Sequence, residues 1–126
     1  MGMYTELHYN AELRADVPSD VVDILKLMLG EAAEGPETPD HPLFGETRWR
    51  FMLQCDSYYF DADTHSTLRK DRQGGLYLCV RCNLKNYDDE IEKFCDWIRP
   101  YINKQEGGFL GFSRDKGSQT PTLIFA

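Results

Sequence analysis

The sequence predicts an α+β fold of the ferredoxin-like kind: a split β-α-β antiparallel sheet with two helices on one face and an added C-terminal strand. Three observations carry this expectation. Leu76, Leu78, Val80, Cys82 and Leu84 alternate with Tyr77, Cys79, Arg81 and Asn83, the two-residue period of a strand with one buried face. Beyond Asn86 the period changes, and Ile91, Phe94, Cys95, Ile98, Tyr101 and Ile102 fall at helical spacing. Asp88, Asp89 and Glu90 precede them, where the positive end of a helix dipole favours carboxylates. A similar strand-then-helix pattern opens the chain.

The elements follow in order. Leu7, Tyr9, Ala11 and Leu13 alternate with Glu6, His8, Asn10 and Glu12, which predicts the first strand over 4–13. Pro18 suits the first turn of a helix whose apolar face is Val21, Val22, Ile24, Leu25, Met28 and Leu29, with Gly30 as its stop. Residues 31–45, with three prolines and four acids, show no period and form a long acidic loop, either a mobile insertion or a lid. Residues 47–53 suit a strand or a helical turn, and one or two helical turns are expected. Residues 57–68, rich in Tyr58, Tyr59 and Phe60, read as a strand that turns through RKDRQGG into the central one. Pro100 predicts a kink near Arg99 in the second helix, Gly107 and Gly108 close it, and a final hairpin spans FLGFSR and TPTLIFA.

A chain of 126 residues, 41% hydrophobic and 28% charged, fits one domain over 1–126 with a single core. Fourteen Lys and Arg against 21 Asp and Glu leave a net charge of −7, which disfavours duplex nucleic acid, whose binding rests on clustered cations. The sequence holds no apolar run of bilayer length and opens without a signal-peptide pattern, and Glu6 stands where a myristoylation motif needs Ser or Thr. The expected location is therefore the cytoplasm, away from membranes. There the four cysteines are expected as reduced thiols, with Cys82 and Cys95 on core faces.

If both helices cover the face of Leu7, Leu78 and Val80, the other face displays His8, Asn10, Tyr59, Asp61, Asp63, Tyr77, Cys79, Arg81 and Asn83. Either this mixture binds something or it is an ordinary solvated face. Cys79 and Cys82 resemble a metal motif in spacing, but residues three apart on a strand point to opposite faces, so no metal site is expected. His8, His41 and His65 share no ligand spacing. The glycine-rich loops and nucleophile elbows of common nucleotide and hydrolase sites are missing, and no cofactor is expected.

The stretches Met3-Tyr4-Thr5-Glu6, Ser57-Tyr58-Tyr59-Phe60, Asn83-Leu84-Lys85-Asn86-Tyr87 and Trp97-Ile98-Arg99-Pro100-Tyr101 resemble a group of small phage and prophage proteins without an assigned activity. That resemblance implies no catalytic residues, and it implies a host or phage protein as partner. The leading expectation is a non-catalytic protein-binding module using Tyr59, Tyr77 and Arg81 on the open face, with Trp49, His8 and Asp61 as further candidates. One alternative is a small-molecule enzyme with His8 as base beside Asp61, Tyr77 and Arg81; another is single-stranded nucleic acid binding through Tyr59, Tyr77 and the basic turn. A final strand at a sheet edge also allows a symmetric dimer.

Overall fold

A computed structural model of the chain describes residues 4–57 and 63–126. It is an α+β structure built on one open five-stranded antiparallel sheet. The strands are β1 (Thr5–Glu12), β2 (Thr67–Lys70), β3 (Leu76–Leu84), β4 (Phe109–Asp115) and β5 (Thr122–Phe125). They lie in the order β2-β3-β1-β4-β5, every neighbouring pair antiparallel. Helix α1 (Ser19–Met28) follows β1, and α2 (Glu90–Ile98) follows β3.

Alternation explains the sheet's two faces. In register, Leu7 faces Cys82, Tyr9 faces Val80 and Ala11 faces Leu78, and all six side chains are buried. The same apolar cluster takes in Val21, Ile24, Leu25 and Met28 of α1 and Ile91, Phe94, Cys95 and Ile98 of α2. Both helices therefore share one core with one sheet face. Burying each large aliphatic or aromatic side chain contributes about 1.5–3 kcal/mol, so this cluster dominates stability. At its centre Tyr9 meets Phe94 edge to face, centroids 5.7 Å apart, and burial pushes the Tyr9 phenol above its usual range.

The helix ends have local causes. Pro18 precedes α1, and Gly30 takes φ +75 just past its end, a left-handed position that glycine adopts without strain. Helix α2 starts after Asp89, which sits at φ 57, while the Asn86 Oδ1 accepts from the Ile91 N–H at 2.9 Å. It ends at Ile98, well before Gly107, because Pro100 turns the chain into a short 3₁₀ segment, Arg99–Tyr101. Ile102 then bridges to Leu13, tying the end of that segment to the sheet.

Three segments refine the expectations. Residues 47–53 do form a helical turn, the 3₁₀ helix Trp49–Gln54, which buries Met52 and Leu53. Of the strand expected over 57–68, the described residues form Thr67–Lys70, with His65 exchanging backbone bonds with Arg81 just before it; Tyr58, Tyr59, Phe60 and Asp61 lie outside the described residues. The acidic 31–45 segment ends in a 3₁₀ turn, Pro42–Gly45, whose Leu43 is fully buried. His41 caps that turn: its Nδ1 accepts from the Leu43 N–H at 3.0 Å, so Nε2 carries the proton it donates to Asp96 of α2 at 2.9 Å.

Candidate partner surface on the outer sheet face

The strand registers order the uncovered face into rows. One row runs Arg69, Tyr77, Glu12 across β2, β3 and β1. Past Thr67, Cys79 and Asn10, a second row runs Arg81, His8, Phe112, Leu123 across β3, β1, β4 and β5, and a third, partly covered, runs Asn83, Glu6, Arg114.

The first row is polar and pre-ordered. The Arg69 guanidinium lies over the Tyr77 ring, 5.2 Å from its centroid. The Glu12 charge, then the Asp71 hydrogen bond, raise the Tyr77 phenol pKa. Asp71 itself accepts backbone N–H bonds from Gly75 at 2.7 Å and Gln73 at 2.9 Å; these, Gly75 foremost, hold its carboxyl below the usual range. The turn between β2 and β3 thus positions the Tyr77 hydroxyl. A cavity of about 350 Å³ opens beside it, with Glu12, Asp71, Tyr77 and Asn103 on its walls.

The second row turns apolar towards β5. His8 stacks flat on Phe112, centroids 4.4 Å apart and planes 14° apart, and its Nε2 lies 3.3 Å from Glu6. Glu6 also accepts from Arg114 Nε at 2.6 Å, which clamps β1 to β4 on this face. Beyond Phe112 comes Leu123, 51% exposed, and beside it Phe109 and Phe125 pair at a centroid separation of 6.2 Å, 52% and 46% exposed. These three are the large exposed apolar side chains of the β4–β5 hairpin.

The backbone of β5 adds a second feature. Ala126 donates to the Gly108 carbonyl and accepts from the Gly107 N–H. Backbone groups alternate in direction along a strand, so Leu123 and Phe125 point theirs away from β4. Among the described residues no strand pairs with β5 on that side.

Of the residues singled out from sequence, Tyr77, Arg81 and His8 stand on this face. Arg81 donates from Nε to the Asp63 carbonyl at 2.8 Å, which fixes its side chain across β3. His8 and Tyr77 do not converge: Tyr77 lies opposite Glu12, four residues along β1, roughly 13 Å away at strand spacing. Trp49 belongs elsewhere, half-buried in the helical layer, edge-on to Phe44 at 4.9 Å. Asn83, expected on the open face, is buried at 1% exposure, its N–H bonded to the Cys55 carbonyl. Tyr59 and Asp61 lie outside the described residues. Sequence reading missed the apolar end of the face; the uncharged run from Gln119 to Phe125 was the signal available.

No family model, curated protein or solved structure matches this chain. No helix among the described residues is long and apolar enough to cross a membrane.

Proposed function

We propose that the chain is a non-catalytic protein-binding module that takes up an extended segment of another protein at the outer edge of β5. The observation that carries this reading is the coincidence, on one hairpin, of an unpaired strand edge with exposed Leu123, Phe109 and Phe125. Proteins guard such an edge with lysine, proline, a bulge or a very short strand; β5 (TLIF) is short, at four residues, but carries no lysine or proline. Strand addition suits it: main-chain hydrogen bonds give affinity, and alternate side chains of the incoming strand pack on Leu123 and Phe112. The Tyr77 and Arg81 end of the face then contacts flanking residues of the partner. Resemblance to phage and prophage proteins favours a host or phage protein as that partner.

The same reading includes the fold type. Two split β-α-β units, with β3 between β1 and β2 and β1 between β3 and β4, are the ferredoxin-like arrangement, to which β5 adds an edge; the strand order supports this assignment.

Selection of random displayed peptides on the immobilised chain tests the proposal, with binding then compared in two variants. Leu123→Pro removes an outward N–H without touching a β4 bond and is expected to abolish binding. Tyr77→Ala with Arg81→Ala is expected to weaken it only a few-fold. The reverse ranking would move the binding surface to the β3 end of the face and refute the edge reading.

A further inference from the structure

A different surface lies at the entry to α2, where Glu46, Asp88 and Glu90 each offer a carboxylate oxygen and these oxygens all lie within 4.8 Å of one another. They line a cavity of about 290 Å³ whose other walls are Thr47, Arg48, Lys85 and Tyr87. Glu90 is the telling member. It is only 5% exposed, and its Oε2 is buried with no hydrogen-bond partner among the described residues. A buried carboxylate oxygen without a donor is costly, and neighbouring acids add to the cost. Burial, foremost, raises the Glu90 pKa; backbone N–H bonds from Glu90 and Asp88 to its carboxyl offset part of that rise, and the Asp88 and Glu46 charges add to it.

We infer that Glu46, Asp88 and Glu90 form a binding site for a hard divalent cation, Ca²⁺ in preference to Mg²⁺. All three donors are carboxylate oxygens, the ligand type that Ca²⁺ and Mg²⁺ take, and no thiol or imidazole belongs to the set. Of the two, Ca²⁺ is favoured because it accepts irregular coordination, whereas Mg²⁺ demands near-octahedral geometry and dehydrates reluctantly. Three carboxylates supply part of the six to eight oxygens Ca²⁺ requires, and solvent entering the open cavity supplies others. A cation there neutralises the buried Glu90 carboxylate, whose Oε2 has no donor among the described residues.

Lys93 is the built-in competitor, since its ammonium is bonded to the Glu46 carboxylate. Arg48 and Lys85 add positive charge at the walls. Cation entry therefore displaces Lys93 from Glu46, which its flexible stem permits. The affinity is set by that exchange.

The test is calorimetric titration of the full chain with CaCl₂, then MgCl₂, at constant ionic strength. One saturable Ca²⁺ equivalent is expected, with Mg²⁺ weaker. Asp88→Asn changes an exposed side chain and should leave the fold intact while lowering Ca²⁺ affinity at least about tenfold. Lys93→Met should raise it, a gain that mere structural damage would not produce. Asp23→Asn, an exposed acid on α1 outside the cluster, should change nothing. Absence of saturable Ca²⁺ binding in both the native chain and Lys93→Met would overturn the site, as would unchanged affinity in Asp88→Asn.

Discussion

Replacing Gly111 with alanine should break the attachment of the β4–β5 hairpin to the rest of the sheet. Gly111 lies opposite Tyr9 on β1, where the two backbones approach closely. A Cβ at this position would overlap the His8 carbonyl oxygen, with the His8 carbonyl carbon at 2.8 Å and the Tyr9 Cα at 3.0 Å. Carbon atoms prefer about 3.5–4.0 Å, and the oxygen lies nearer than either carbon, so β1 and β4 must part by more than about 1 Å. That is enough to break local ladder bonds. One buried bond costs about 1–3 kcal/mol, and the displaced packing adds about 1–3 kcal/mol, giving about 2–6 kcal/mol. Urea denaturation followed by circular dichroism measures this, and the midpoint should fall with little change in slope. Gly45→Ala is the control, because a Cβ there meets nothing within 4 Å. A Gly111→Ala protein within about 0.5 kcal/mol of the native one would refute the pairing of β1 with β4 described above.

Further outcomes follow from the same geometry. Leu43→Ala should cost about 2–4 kcal/mol and open residues 31–41 to proteolysis, because Leu43 is the buried anchor of that loop; unchanged protease sensitivity would contradict this. Glu90 has a folded pKa above its unfolded value, so its favourable contribution is complete below the unfolded pKa and is lost as pH rises through the folded one. In chelator, the stability of Glu90→Gln relative to the native chain should therefore increase from about pH 4 upward; a pH-independent difference would contradict it. Burial pushes the Cys95 thiol up to about 12, and that of Cys82 higher still. In the native state both should resist a thiol reagent that labels half-buried Cys79, as peptide mapping by mass spectrometry would show.

The central strands and both helices were legible because their signals are local. The alternation of Leu76–Leu84 and of Leu7–Leu13, and the helical spacing of Ile91–Ile98, each report a single element packed on one side. Placing Tyr77 and Arg81 on the outer face needed only that alternation. What stayed hidden depends on contacts between distant segments. Leu43 sits among prolines and acids with no periodic partner, and only its packing against the core marks it as an anchor. The stack of His8 on Phe112 depends on the β1–β4 register, which nothing local encodes. The carboxylate cluster joins Glu46, at a 3₁₀ turn, to Asp88 and Glu90 at a helix start. Its acids looked like ordinary first-turn residues until the fold brought Glu46 beside them. Cys79 and Cys82 went the other way: their suggestive spacing dissolves because one stands on the outer face and the other in the core.

Amide hydrogen exchange by NMR tests the edge of β5 most directly. In the unbound chain the Leu123 and Phe125 amides should exchange fast while those of Ile124 and Ala126, directed at β4, are protected. On binding a selected peptide, protection should appear at Leu123 and Phe125. Protection confined to β3 residues around Tyr77 and Arg81, with Leu123 and Phe125 still exchanging fast, would contradict strand addition at this edge.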